Sequence, residues 1–134
     1  MITAIDTNIL IDLLSNDSRY VYQAMDALES AYVAGKIVLC DIVYAEICGA
    51  FSSQNDCDRF LDERGFQVEP LLRTSSFLAA TVWQKYLKRG GKRTRILPDF
   101  LIASHAEIQA DVLLTRDRGF YRSYFPNLKV IGPK

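Results

Sequence analysis

Histidine and cysteine are scarce in this chain. There is one histidine, His105, and there are three cysteines, Cys40, Cys48 and Cys57, with no C-x-x-C spacing. A zinc site lacks ligands in such a set, and buried free thiols are the plain reading. His105 lies six residues after Asp99, a spacing that turns it well off that helix face, so it is read as a structural or surface histidine. No apolar run approaches the roughly 20 residues that span a bilayer. The N-terminus enters a strand directly, with no basic segment or cleavage site, which predicts a cytoplasmic protein. Internal repeats, low-complexity tracts and linkers are absent too. So is net charge: 16 basic residues balance 16 acidic ones. That balance gives no general attraction for a polyanion.

What remains is an ordinary globular composition. The chain has 134 residues, 49% of them hydrophobic and 24% charged. This predicts a single domain over 1–134, large enough for a core without covalent staples.

Residues 2–5 read as a short buried strand, followed by a helical segment over 7–14. The triplet Asn16-Asp17-Ser18 marks a break and an N-cap. Helical periodicity runs over 20–34 and stops at Gly35. Strand 37–40 follows, then a helix over 42–52 that Asp41 can cap. A helix over 54–64 closes at Gly65, and a weak strand over 66–68 ends before Pro70. An amphipathic helix covers 75–89, and a basic loop covers 92–96. Pro98 suits the first turn of a helix running to about 110. Strand 112–115, a short turn or helix over 119–125 and strand 128–131 complete the chain. Strands alternating with helices predict a doubly wound α/β domain with a parallel sheet and helices on both faces.

Four acids stand out in that frame. Asp6 and Asp117 each lie just beyond the end of a strand. Glu46 and Asp99 each lie near the start of a helix. In a parallel sheet, crossover connections bring all strand ends to one edge, and helices begin at that same edge. All four carboxylates are therefore expected in one cleft, where ligand crevices of open α/β sheets lie. Such a cluster is costly unless a divalent cation neutralises it. Each acid also has a local explanation. Asp6 and Asp99 suit helix N-termini, Asp117 suits a turn, and Glu46 suits an exposed helix face. The apolar neighbours Ala45, Ile47 and Cys48 argue that Glu46 is partly buried.

These acids sit in the segments Ile5-Asp-Thr-Asn8, Tyr44-Ala-Glu-Ile47, Pro98-Asp-Phe-Leu-Ile-Ala103 and Leu114-Thr-Arg-Asp117. In that order and spacing, the chain resembles the PIN-domain nucleases over essentially its whole length. Within them it resembles the VapC-type toxins of toxin–antitoxin pairs. The resemblance implies a three-layer α/β/α domain with a five-stranded parallel sheet of order 3-2-1-4-5. It implies an endoribonuclease dependent on Mg²⁺ or Mn²⁺, a homodimer and a small VapB-like antitoxin. Asp6, Glu46, Asp99 and Asp117 match the family's acidic site. Asp6 and Asp99 are expected to touch the metal, with Glu46 and Asp117 holding metal-bound water or a second ion. Such an ion would polarise a phosphoryl oxygen of RNA and favour hydroxide for in-line attack. Asn8 and Thr115 would orient ligands or water, although local capping and strand-end bonding explain them equally well.

Setting the four acids aside leaves a surplus of four positive charges. Much of it lies in Lys85, Lys88, Arg89, Lys92, Arg93 and Arg95, and in Arg116, Arg118 and Arg122. These residues suit phosphate contact or a solvated surface. Tyr121, Tyr124 and Phe125 read as core rather than as base-stacking rings. Tyr20, Tyr22, Tyr32 and Tyr44, with Val21, Met25 and Leu28, suggest a partly aromatic surface around the early helices. Two other enzyme classes start with a strand-end Asp. A haloacid-dehalogenase-type phosphotransferase needs a second Asp where Asn8 stands. A receiver domain needs an acidic pair and a late-strand lysine that are not evident. A noncatalytic RNA- or partner-binding module on the same fold is the alternative from another class, and loss of an acid would favour it.

Overall fold

The computed structural model describes residues 1–92 and 95–133. The elements follow in the order β1 (Ile2–Ile5), α1 (Thr7–Leu14), α2 (Ser18–Ala34), β2 (Lys36–Leu39), α3 (Asp41–Cys48) and α4 (Gln54–Glu63). Then come β3 (Gln67–Val68), α5 (Arg73–Lys88), α6 (Leu97–Gln109), β4 (Val112–Leu114), α7 (Arg118–Tyr124) and β5 (Val130–Ile131). The sheet order is β3-β2-β1-β4-β5. Every strand pair is parallel, with helices on both faces. This is the topology the resemblance implied.

Burial explains the central strands. Ala4 and Ile5 in β1, Ile37, Val38 and Leu39 in β2, and Val112, Leu113 and Leu114 in β4 are all buried. A strand covered on both faces reads as a continuous apolar run, not an alternating one. Each buried Leu, Ile or Val contributes about 1.5–3 kcal/mol. These runs therefore fix which segments form the middle of the sheet.

Caps set the helix limits. The Asp17 carboxylate accepts from Arg19 N at 3.0 Å, so α2 starts at Ser18, two residues earlier than periodicity alone suggests. Gly35 ends α2 at φ +148°, with its N–H donated to Ala31 O at 3.0 Å. A Cβ at Gly35 would stand 2.1 Å from the Met1 carbonyl oxygen, so only glycine lets the chain pass there. Ser53 caps α4 through Asp56 N at 3.1 Å.

Asp41 does not cap α3. The cap position is Cys40, and Asp41 is already inside the first turn. Its carboxylate instead accepts from Leu71 N at 3.3 Å. The buried strand ends one residue sooner than expected, which moves the helix start forward by one. α3 also ends at Cys48, short of Ser52, because the chain turns at Gly49. The outer strands β3 and β5 are two-residue pairings, shorter than the sequence suggests.

An aromatic cluster joins α5, α6 and α7. Phe100 is fully buried, with ring centroids 5.1 Å from Trp83, 5.3 Å from Tyr86 and 5.5 Å from Phe120. Such contacts add about 0.5–1.5 kcal/mol each beyond area burial. Anchoring Phe100 fixes the first turn of α6, and with it the neighbouring residue, Asp99.

Candidate active site

The site begins with strand register. β1 and β4 are neighbours, and Ile5 pairs with Leu114. The residues that follow, Asp6 and Thr115, must therefore leave the sheet side by side. Asp6 N donates to Leu114 O at 3.0 Å, and Thr115 Oγ1 donates to Asp6 Oδ2 at 2.7 Å. Strand order reverses at this point, because β2 and β3 lie to one side of β1 and β4 and β5 to the other. Open α/β sheets bind ligands at such a switch.

Asp6 is buried, with only 6% of its surface exposed. It caps α1, as Oδ1 accepts from Thr7 N at 2.7 Å. Asn8 Nδ2 lies 3.4 Å from Oδ2. The local cap expected from sequence and the place in the cleft are thus one and the same. Burial pushes the Asp6 carboxyl above its usual range, and the charge of Asp99 adds to that. Hydrogen bonds from Thr115 and Thr7, and the nearby Tyr121 hydroxyl, pull the other way.

Thr115 is a hub. Its hydroxyl donates to Asp6 and accepts from Asn8 Nδ2 at 3.2 Å and from Asp117 N at 3.0 Å. One donor and two acceptors exhaust what a hydroxyl can do. Asn8 Oδ1 accepts from Arg116 N at 3.2 Å. Both polar residues singled out by sequence therefore hold the acids Asp6 and Asp117 in place.

Asp99 is half-buried in the first turn of α6, where Oδ2 accepts from Ile96 N at 3.2 Å. Burial raises its pKa and the Asp117 charge adds to this, against lowering by the Ile96 N–H and by Arg95. Asp117 is half-buried at the start of α7 and pairs with the Arg95 guanidinium. Asp6, Asp99 and Asp117 thus feel one another's charge at one edge of the sheet.

Glu46 departs from expectation. It is exposed rather than partly buried. A helix turns about 100° per residue, so Val43 and Ile47 take the core face and Glu46 looks outward. It still belongs to the rim of the cleft, because Thr7 Oγ1 donates to Glu46 Oε1 at 2.6 Å. Charge effects link Asp6 to Asp99 and Asp99 to Asp117, and Glu46 is tied in only through the Thr7 hydroxyl.

Two participants escaped sequence reasoning. Tyr121 was expected only in the core, and it is fully buried. Its hydroxyl also lies near Asp6, and its pKa is driven far up by burial and by the charges of Asp6, Asp99 and Asp117. The available signal was its place four residues after Asp117, one helical turn along α7. Asp12, 5% exposed, forms a two-point ion pair with Arg116, at 2.5 Å from Nε and 3.1 Å from Nη2.

The arginines divide by partner. Arg116 is committed to Asp12 and lies over the Tyr20 ring. Arg122 donates to the Val130 carbonyl at 3.4 Å, and the Arg118 side chain packs beside Gly132. These contacts give the three arginines local structural roles. Arg95 lies over the Phe120 ring, 4.1 Å from its centroid, while paired with Asp117. Lys85, Lys88, Arg89 and Lys92 are exposed, and Arg93 lies outside the described residues. His105 is buried in α6, with its pKa lowered by burial and its Nε2 unpartnered. It is a structural residue, away from the acids. Cys40, Cys48 and Cys57 are free thiols.

Among the described residues, no group of three or more Asp, Glu, His or Cys side chains is placed to hold a metal ion. The donor chemistry nonetheless fits a hard cation. The mouth offers carboxylate and hydroxyl oxygens, and two of its acids are held uncomfortably by burial. Mg²⁺ commonly keeps several waters and takes only one or two protein carboxylates, so it needs no complete protein cage.

Three solved structures share the fold. One is the VapBC2 complex of Rickettsia felis bound to a promoter DNA fragment, at 22% identity and TM-score 0.77, with 100% of both chains covered. Another is VapBC-1 of nontypeable Haemophilus influenzae, at 25% identity and TM-score 0.74, with 98% of both covered. A third is a toxin–antitoxin complex of Klebsiella pneumoniae, at 23% identity and TM-score 0.70, with 98% of both covered. No curated protein matches the chain. The sequence pattern of the PIN domain matches residues 3–126, a span holding Asp6, Glu46, Asp99 and Asp117. The chain belongs to the PIN domain family.

Proposed function

We propose that this protein is a divalent-metal-dependent endoribonuclease and the toxin of a VapBC-type toxin–antitoxin pair. The observation that supports this reading is the PIN-domain match over residues 3–126, together with Asp6 at the switch point of the sheet and the charge effects that link it to Asp99 and Asp99 to Asp117. PIN domains generally use divalent metal ions. Asp6 and Asp99 would hold Mg²⁺ or Mn²⁺, and Glu46 and Asp117 would hold its water. When bound, the cation would supply Lewis acidity at a phosphoryl oxygen and a more acidic water.

The chain's own groups do the rest. Thr7 N and Thr115 Oγ1 fix both oxygens of Asp6, so its carboxylate cannot rotate away. Thr7 Oγ1 steadies Glu46 at the rim. Exposed lysines along α5 suit the phosphates of an extended RNA.

An antitoxin partner is supported by the neighbours, which are named as toxin–antitoxin or VapBC complexes. It is also supported by an apolar groove of about 560 Å³ along α2, where Tyr22 and Met25 are at least half exposed. Among the described residues, no helix is long and apolar enough to cross a membrane.

The test is incubation of total RNA with purified protein in Mg²⁺, in EDTA, and with Asp6→Asn. Cleavage in Mg²⁺ alone, lost in both other arms, is the expected result. Cleavage that persists in EDTA or in the variant would defeat the metal role. RNA retained but never cut would favour the noncatalytic module instead.

A further inference from the structure

The acidic mouth already contains a cation, and it comes from the chain itself. Arg95 precedes α6 by two residues. Its backbone N–H donates to Lys92 O at 3.3 Å. Its guanidinium reaches Asp117 and rests on the Phe120 ring. About a third of each partner's side chain is exposed. Arg95 also acts on the Asp99 carboxyl, opposing its rise, and Asp99 in turn favours the charged arginine. One side chain thus offsets both Asp99 and Asp117.

Alternatives elsewhere in the molecule are weaker. Cys48 and Cys57 line one pocket with Tyr44, but only Cys48, in α3 with Glu46, has any connection to the acids. The groove between α5 and α7 presents Lys85, Arg89 and Glu107 together, with no single ligand chemistry favoured.

We propose that Arg95 is a built-in counter-cation that competes with the hydrated divalent ion, through its bound water, for Asp117. This rests on the metal-dependent reading above. Without a divalent ion, the guanidinium holds Asp117 and limits repulsion in the mouth. When an ion enters, the Asp117 carboxylate must be released, and the arginine turns about its own side-chain bonds. A partly exposed ion pair of this kind is weak enough to be displaced by a dication. The stacking on Phe120 keeps the guanidinium beside the site and stops it drifting into solvent. Binding of metal and release of Arg95 are then one event, so the arginine sets the cation concentration at which the site fills.

The experiment is a Mn²⁺ titration of the whole protein by calorimetry, with free Mn²⁺ counted by electron paramagnetic resonance. The proteins are wild type, Arg95→Gln, Arg95→Lys, Asp117→Asn and Arg95→Gln/Asp117→Asn. Arg95→Gln should bind Mn²⁺ about five-fold tighter than wild type, the effect of freeing Asp117 and removing a nearby positive charge. Arg95→Lys keeps the charge but loses the fork and the stacking, so it should fall between them. In the Asp117→Asn background the Arg95 change should lose most of its effect, because the contested carboxylate is gone. Equal Mn²⁺ affinity in wild type and Arg95→Gln would overturn the proposal while leaving the metal site intact. So would an Arg95 effect unchanged by Asp117→Asn, which would mark a general charge effect. If wild type binds no Mn²⁺, both this proposal and the metal-dependent reading fall.

Discussion

Thr115→Val is the sharpest test of how the site is held. The substitution keeps the β-branched shape and removes one oxygen. That oxygen makes three bonds: to Asp6 Oδ2 at 2.7 Å, from Asn8 Nδ2 at 3.2 Å and from Asp117 N at 3.0 Å. Asn8 retains a long second contact to Asp6 at 3.4 Å. Asp6 Oδ2 keeps only that long contact, and Asp117 N has no replacement from Val. A hydrogen bond to a charged group is worth about 1.5–3 kcal/mol, and an orphaned buried donor costs about 1–3 kcal/mol. Partial exposure of Asp117 lets water repair some of the second loss, so the net cost should be about 3 kcal/mol. For a domain of this size that corresponds to a fall in Tm of about 10 °C. The assay is urea and thermal unfolding in EDTA, with Thr115→Ser as the control. Serine keeps the hydroxyl and should recover more than half of the loss. Thr115→Val within about 1 kcal/mol of wild type, or Thr115→Ser worse than Thr115→Val, would refute the hub.

Two further outcomes follow from the same geometry. Burial raises the Asp6 pKa above its ordinary 3.8, so the folded chain holds that proton more tightly than the unfolded chain. The stabilisation from Asp6 is therefore full below the unfolded value and is lost as pH rises through the folded one. In EDTA, wild type should lose stability relative to Asp6→Asn as pH climbs from below 3.8, and Mg²⁺ at neutral pH should narrow the gap. A difference that stays flat or grows in favour of wild type with pH would contradict this. Arg116→Ala strands the buried Asp12 and should cost about 2 kcal/mol, reduced from the fully buried case because Arg116 is 40% exposed. By urea unfolding, Asp12→Ala/Arg116→Ala should cost at least about 1 kcal/mol less than the two single changes together, and simple additivity would show that the pair is not coupled.

The sequence by itself was enough for the parallel α/β sheet. Continuous apolar runs such as Val112-Leu113-Leu114 read as buried strands, and helices between strands favour parallel pairing. Parallel pairing sends Asp6, Asp99 and Asp117 to one edge whatever their distance along the chain. The tertiary structure decided what touches what there. Glu46 turned out exposed because helix phase, not the polarity of its sequence neighbours, sets which way it looks. Tyr121 came near Asp6, and Asp12 found Arg116, through tertiary contacts that no local pattern encodes. Arg95 became a partner of Asp117 only because the residues just before α6 lie against the start of α7. Periodicity reports which face of an element is covered, but contacts between side chains far apart in sequence depend on how whole elements dock.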